Sequence, residues 1–399
     1  MLLNAVQISS LHSVLFCKRG RSHLCTMTID TTYQDSLPFL FAGNAGSISI
    51  SALPNEAVPI TLEVKLPVGI GGGVVVLYHT EFEMKTGSDG KLELSLDKIL
   101  ESIDHLLMTT TSQASKRNPW VTLLFGSDDK VSWEKMVLHG KLNDNLLADI
   151  YGYRSFITAR PQISPARTDG QPDWLTFAAS ETVVFAIVYS DMLPPVQLTF
   201  GDNFSGKLSK VDVSLDAVRS EADKAGLAGH RIVAYDIYMK NAVPAEDGNA
   251  SDIIVSEVLR FIVPCRKMKT FEFVSSVGAM EPVYAKGRQK TESESEVASF
   301  TSDGVEKELT NDWRFVHETF TGYLASADEV RFWREFFASD ERYAVVDGEA
   351  LRIAVSDIDS QSTEGELNAF SFKWHFADRD SDPSRKTNRK ELKQFRPKI

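Results

Sequence analysis

The sequence predicts a mainly β protein made of tandem antiparallel β-sandwich modules of the immunoglobulin-like (Ig-like) kind with short helices, followed by a C-terminal α+β module. Three observations lead to this fold class. The chain has 399 residues, which is too long for one ordinary core and indicates two or three domains. Short segments of alternating apolar and polar residues recur about every 10 residues between turn residues, as in antiparallel sandwiches. One amphipathic helix pattern stands between strand patterns near the C-terminus.

These patterns divide the chain into five parts. The leader and the tail lack the apolar periodicity of a core, whereas the three parts between them carry it. The predicted parts are an unstructured leader or mis-assigned start (1–26), a β-sandwich domain (27–150), a second β-sandwich domain (151–264), a C-terminal α+β module (265–378) and a basic disordered tail (379–399).

The first domain opens the series of strand patterns. Ile60–Leu66 alternates apolar and polar side chains, which is typical of a strand with one face in water. Leu96–Leu107 carries apolar residues at helical spacing and is predicted to be a short helix. The other predicted strands are Val74–Glu83, Lys91–Leu96, Trp120–Phe125 and Val131–Leu138, the last two as a hairpin.

The second domain follows a loop rich in proline, Arg160–Pro172. Its pattern of strands, one short helix and further strands resembles that of the first domain. The predicted strands are Trp174–Phe177, Thr182–Tyr189, Val196–Phe200, Ser209–Val213, His230–Met239 and Val255–Val263, and the predicted helix is Leu215–Ala225.

The C-terminal module contains the clearest helix pattern. Ser326 or Asp328 is available as the N-cap, and one face carries aromatic and aliphatic residues. We expect this face to pack on a sheet and Glu329, on the other face, to be energetically neutral. The apolar face consists of Val330, Trp333, Phe336 and Phe337, and the predicted strands are Phe315–Phe320, Tyr343–Val346 and Ala350–Val355.

Charge and composition exclude some classes of function. The net charge of −12 argues against general nucleic-acid binding, which needs a basic field. The seven Lys or Arg residues of 385–398 are a weak nucleic-acid signal, because Phe395 is the single aromatic residue among them. No stretch approaches the roughly 18 apolar residues of a membrane span. The three cysteines, Cys17, Cys25 and Cys265, form no C-x-x-C pair, and Cys265 is predicted to be a small buried apolar residue.

The leader admits two interpretations. Its apolar run, Leu11–Phe16, is short and precedes the positive charges, which is the reverse of an export signal. One interpretation is an unstructured extension, or an upstream start codon with translation beginning at Met27, and the other is a lipid-anchored export signal at Cys17.

Glycine and histidine motifs do not predict chemistry. Gly69–Gly73 resembles a phosphate loop, but a strand pattern follows it where a helix should begin, so we interpret it as a strand connector. His317-Glu318 lacks the second histidine of a zinc-protease helix. His79 and His375 stand in strand patterns and are predicted to be packing or surface residues.

Two groups of carboxylates are candidate cation sites. Asp357 and Asp359 are predicted to lie in a turn, near Ser360, Ser362, Glu364 and Glu366, and whether they bind calcium is left open because the spacing is not that of an EF-hand. Glu292, Glu294 and Glu296 alternate with serines, and we interpret them as charges that protect an edge strand.

A resemblance adds a functional expectation. The order of Trp174–Phe177, Phe271–Gly278, Glu318–Gly322 and Leu367–Trp374 resembles prophage-encoded, multi-domain β-sandwich proteins of virions and tails in gut bacteria. The likeness covers 37–378 and is one of pattern, so it assigns no site residue. It implies a structural component that binds other virion or assembly proteins.

We therefore expect a non-enzymatic structural or adaptor component of a phage virion, tail or phage-derived assembly. It would form homo-oligomers and contact other assembly proteins, without nucleic acid or a membrane span, and would reside in the virion or, before assembly, in the bacterial cytoplasm. No catalytic, cofactor-binding or metal-binding residue is assigned. The alternative is a glycan- or protein-binding β-sandwich protein of the cell envelope.

Overall fold

A computed structural model describes residues 12–16, 25–68, 73–107, 120–126, 131–191, 193–200, 204–244, 251–302, 305–361 and 368–378. The fold is mainly β, as predicted, with several sheets and short helices. The strands form three groups, which we call the first, second and third modules (residues 12–138, 163–262 and 269–376). Each module surrounds its own apolar core. That each module is a separately folding domain stays a prediction.

The first module contains two sheets that share one core. Its elements are β1 (His12–Phe16), β2 (Cys25–Asp30), α1 (Thr32–Ser36), β3 (Leu40–Phe41), β4 (Ser47–Ser51), β5 (Ala57–Val68), β6 (Gly73–Lys85), β7 (Lys91–Ser95), α2 (Leu96–Ser102), β8 (Trp120–Phe125) and β9 (Val131–Leu138). One sheet has the order β1-β2-β4-β7, and the other has the order β3-β9-β8-β5-β6. Alternation directs Ile48 and Ile50 of the first sheet toward Leu62 and Leu123 of the second.

The second module has one seven-stranded sheet. Its elements, after α3 (Asp144–Tyr151), are β10 (Ile163–Pro165), β11 (Trp174–Ser190), β12 (Val196–Thr199), β13 (Phe204–Asp212), α4 (Leu215–Ala222), β14 (Ile232–Pro244), β15 (Ser251–Val255) and β16 (Leu259–Ile262). The order is β10-β16-β14-β11-β12, with β13 beside β11 and β15 beside β14. Its core includes Phe177, Tyr235 and Phe261.

The third module is a seven-stranded sheet covered by one helix. Its elements are β17 (Lys269–Val274), β18 (Met280–Ala285), β19 (Gln289–Ser302), β20 (Val305–Phe320), α5 (Ala327–Ala338), β21 (Arg342–Val346), β22 (Glu349–Gln361) and β23 (Ala369–Phe376). The sheet order is β18-β17-β21-β22-β23-β20-β19.

The helix α5 packs as predicted, with an aromatic face against the sheet. Trp333 and Phe336 are buried, and their rings lie 5.8 Å from that of Phe372 on β23. Ser326 is the N-cap, and its hydroxyl accepts a hydrogen bond from the backbone N–H of Glu329 at 3.1 Å.

The contacts of Glu329 argue against its expected neutrality. Its carboxylate accepts a hydrogen bond from the backbone N–H of Ala325 at 2.6 Å and pairs with Lys286 of β18 at 2.8 Å. The Glu329 side chain therefore fixes the start of α5 and joins it to the sheet.

A fourth cluster of buried residues joins the three modules. Phe39 and Phe41 of the first module, Ala178 of the second and Val277 of the third meet around α3. Tyr151 of α3 donates a hydrogen bond from its hydroxyl to the carbonyl oxygen of Phe39 at 2.9 Å. We call this cluster the joint.

Several predicted element boundaries are wrong in the second module. The two segments predicted within 174–189 form one strand, β11, because two register shifts against β13 let the strand continue. The segment predicted as one strand, Val255–Val263, is divided between β15 and β16. Ser256 causes the break, because its backbone N–H and hydroxyl both bond to Met239 on β14.

Three further expectations need correction. Within the leader, His12–Phe16 is not unstructured but forms β1, which pairs with β2; the remaining residues of 1–24 lie outside the described part. Two strand pairs, β3 with β9 and β10 with β16, are parallel in otherwise antiparallel sheets. Cys265 is exposed, not buried, because it follows the last strand of the second module.

Candidate assembly surface

The hairpin of β5 and β6 extends beyond its own sheet. The two strands pair from Ala57↔Lys85 to Val68↔Gly73, whereas β8 pairs with β5 only between Ile60 and Lys65. Among the described residues, the end of the hairpin is therefore a two-stranded ribbon without a third strand. Residues 69–72 at its tip, which include most of the glycine run, lie outside the described residues.

Four consecutive apolar side chains are exposed on this ribbon. Val74, Val75, Val76 and Leu77 expose 55%, 48%, 49% and 43% of their surface. Successive side chains of a strand point to opposite faces, so both faces of the ribbon are apolar and in water. The outer edge of β6 has no partner strand among the described residues. We call Val74–Leu77 the apolar edge.

The rest of β6 follows the ordinary alternation. Phe82 and Met84 are half-buried and pack on the first core, while His79 and Glu81 point to water. His79 lies 3.2 Å from Glu63 on β5. Hydrogen bonding from Lys65, with a smaller contribution from His79, lowers the pKa of the Glu63 carboxyl, although partial burial opposes this. Only the end of the strand departs from the apolar-in, polar-out rule.

The outermost strand of the third sheet, β19, is protected in a different way. Glu292 pairs with Lys290, and Glu294 lies 3.3 Å from Arg314 on β20. The placement of β19 at the sheet edge agrees with the sequence interpretation of these carboxylates. The side chain of Glu296 lies outside the described part.

A groove of about 380 Å³ separates the first and third modules. Asp104 and His139 form its wall in the first module, and their side chains are 2.8 Å apart. The hydrogen bond that His139 donates to the Asp104 carboxylate raises the pKa of His139 more than partial burial lowers it. Glu335 and Glu341 line the opposite wall. We call this space the inter-module groove.

Buried charges connect the second and third modules. Arg160 donates two hydrogen bonds to Asp173, at 3.0 and 2.5 Å, and its Nε lies 3.4 Å from Glu281 of β18. These three side chains are 1–3% exposed. Burial alone would lower the pKa of Arg160, but the two carboxylates outweigh this effect and raise it. The arginine is therefore charged, and the network has the geometry of an inter-module brace.

The candidate residues named from sequence are not brought together. His79 is on β6, whereas His317 stacks on Trp374 at 4.3 Å and His375 lies on β23. Burial lowers the pKa of His375. Asp357 and Asp359 lie in β22 at a register shift, not in the predicted turn, and Asp357 is 3.6 Å from Lys373.

Cation-ligand geometry is absent from the described residues, where no group of three or more His, Cys, Asp or Glu side chains could hold a metal ion. Ser362, Glu364 and Glu366, named as possible neighbours of Asp357, lie outside those residues. Among the described helices, none is long and apolar enough to cross a membrane.

Sequence reasoning missed the exposure of the apolar edge and the whole buried brace. A signal for the edge was present, because Val74–Leu77 has no polar residue to alternate with. The sequence carries no signal for the brace, because Arg160 and Glu281 are far apart in the chain.

Comparisons with known proteins assign no family. No protein-family model matches the chain, and a search of curated proteins finds no match.

Proposed function

We propose that this chain is a non-enzymatic structural or adaptor component of a phage virion, tail or phage-derived assembly. It would join other copies of itself, and neighbouring assembly proteins, by adding strands at the apolar edge. The observation that carries the proposal is the run of four exposed apolar residues at the end of a projecting hairpin, on a strand whose outer edge has no partner among the described residues.

Strand addition supplies two favourable terms at such a site. An incoming strand satisfies the backbone N–H and C=O groups along the outer edge of β6, and it removes the valine and leucine side chains from water. Monomeric proteins usually shorten, charge or cover their sheet edges to prevent this pairing. The charged edge at β19 follows that rule, whereas the apolar edge does not, which supports a partner for β6.

The joint supports an assembly role for the whole chain. Buried contacts among the three modules hold the β5–β6 hairpin in a fixed direction relative to the sheets of the second and third modules. Fixed geometry lets one contact set the position of the next subunit. The protein would reside in the virion or, before assembly, in the bacterial cytoplasm.

We also propose that the chain contains tandem Ig-like sandwiches. The two sheets around one core in the first module support it. The single seven-stranded sheet of the second module gives no comparable support, and the third module, a sheet covered by α5, fits the expected α+β module.

The cell-envelope alternative has less support. Glycan sites on β-sandwiches commonly use aromatic rings on open faces. Trp133, Trp333 and Trp374 are buried here, and Lys210 lies over the ring of Trp174 at 4.5 Å.

Light scattering over a range of concentrations tests the proposal. We expect the wild type to exceed the 44.4 kDa of one chain, and the variant Val75→Lys/Val76→Lys to shift toward that mass. Val233→Lys is the matched control, because Val233 is an exposed valine on β14, a strand paired along both edges. A wild type that stays monomeric alone and with products of neighbouring genes would overturn the proposal, and saturable binding on a glycan panel would favour the alternative.

A further inference from the structure

The inter-module groove combines an apolar floor with an acidic rim. Leu107, Val274 and Ala338 supply apolar surface. The carboxylates of its lining are Asp104, Glu335, Asp340 and Glu341. The helix α5 ends at Ala338, so its C-terminal carbonyl groups add partial negative charge at the same place. A suitable occupant is therefore a cationic segment with apolar side chains between its charges.

The described part of the chain ends beside this rim. The backbone N–H of Ala377, just after β23, donates to the carbonyl oxygen of Arg352 at 2.9 Å. The guanidinium of Arg352 donates in turn to the carbonyl oxygen of Asp340 at 3.3 Å. One arginine side chain thus spans the distance between the end of β23 and the groove.

The residues that follow have the matching chemistry. Residues 379–399 contain eight Lys or Arg and three Asp or Glu, in a chain whose net charge is −12. Leu392 and Phe395 stand between the cations. The cationic run begins at Arg385. The seven peptide steps from Asp378 to Arg385 reach at most about 25 Å when extended, which is enough for a groove this near.

We propose that residues 385–398 dock in the inter-module groove of their own chain. Individual ion pairs at a wet surface are weak and screened by salt. Tethering compensates, because a short linker holds the segment at an effective concentration in the millimolar range, so that a site too weak for a free peptide is filled. Docking would place the tail in contact with both the first and the third module, and it would shield the acidic rim. The inference does not depend on the proposed assembly role.

Zero-length crosslinking of carboxylates to lysines in the full chain tests this docking. A carbodiimide should couple Lys390, Lys393 or Lys398 to Asp340, Glu341 or Glu335, as mapped by mass spectrometry. The yield of these products should fall at least 5-fold in about 0.5 M NaCl, where the screening length is a few ångströms. A mixture of ¹⁴N and ¹⁵N protein distinguishes docking within one chain from docking between copies. For docking within one chain, we expect each crosslinked product to contain a single isotope.

Variants decide whether the groove is the site. Asp340→Asn/Glu341→Gln should abolish the coupling to those positions and lower total tail coupling at least 3-fold. Glu93→Gln/Glu349→Gln removes the same charge from exposed positions outside the groove and should leave tail coupling unchanged. Mixed-isotope products would overturn docking within one chain in favour of docking between copies. Coupling spread over the surface, or equal loss in both variants, would overturn the groove as the site.

Discussion

Glu281 of the third module accepts a hydrogen bond from the backbone N–H of Ala159, at 2.8 Å, in the segment that enters the second module. Its carboxyl group is 1% exposed and lies 3.4 Å from the guanidinium of Arg160. Burial raises the pKa of Glu281 to about 7, although the charge of Arg160 and the bond from Ala159 act in the opposite direction. A titratable group with this pKa makes the contact between two modules sensitive to pH near neutrality.

Replacing Glu281 should change how stability depends on pH. The folded-state pKa lies above the unfolded one, so the contribution of Glu281 is fully present below about pH 4.5 and is lost as pH rises through 7. Between pH 5 and 8 we expect the free energy of unfolding of Glu281→Gln to rise by about 2.5 kcal/mol relative to that of the wild type. Urea denaturation at each pH measures the difference, Glu349→Gln is the exposed control, and a difference independent of pH would contradict the assignment.

Removing the buried arginine should destabilise the chain strongly. Arg160→Met leaves the carboxylate of Asp173 buried without its partner, and we expect a loss of about 3–5 kcal/mol in the free energy of unfolding. Arg260→Met is the matched control, because Arg260 pairs with Asp236 at 2.7 Å but is 45% exposed, so water replaces much of the interaction. Equal effects of the two changes would show that the brace is not desolvated in solution.

A methyl group at Gly278 should separate the first and third modules. A β-carbon there would lie 2.0 Å from the carbonyl oxygen of His139, and the residue has a φ of +74°. Gly229→Ala measures the cost of left-handed backbone strain alone, because Gly229 has a φ of +82° and no atom lies near the position of its missing β-carbon. Left-handed strain costs about 1–2 kcal/mol in either variant. We expect thermal unfolding to show a distinctly larger loss for Gly278→Ala, and losses of equal size would mean that the contact relaxes freely.

Two residues of α5 should differ in cost for separate reasons. Trp333→Ala empties part of an aromatic core and should cost about 3–5 kcal/mol. Glu329→Ala removes a cap and an ion pair and should cost about 1 kcal/mol. Arg331→Ala, exposed on the same helix, should be close to neutral in the same chemical denaturation series. Small effects from both Trp333 and Glu329 would mean that α5 is not anchored to the sheet.

The parts of this fold that depend on residues close together in the chain were predictable from the sequence. The aromatic face of α5 follows from helical spacing, and the β8–β9 hairpin follows from two alternating segments around a short turn. Both were predicted because the residues that define them lie within about 20 positions of one another. The ends of elements were harder to predict. The strand β15 ends before Ser256, whose hydrogen bonds to Met239 form only when β14 lies beside it.

The tertiary structure alone decided which surfaces meet and which stay open. Arg160 and Glu281 are brought together by the packing of separate modules, and no periodicity encodes that contact. Val74–Leu77 was legible as an apolar strand, but the same pattern fits a buried central strand and an exposed edge equally well. The difference depends on whether a second strand lies beside β6, and hydrogen bonding between strands is a property of the assembled sheet rather than of any one segment.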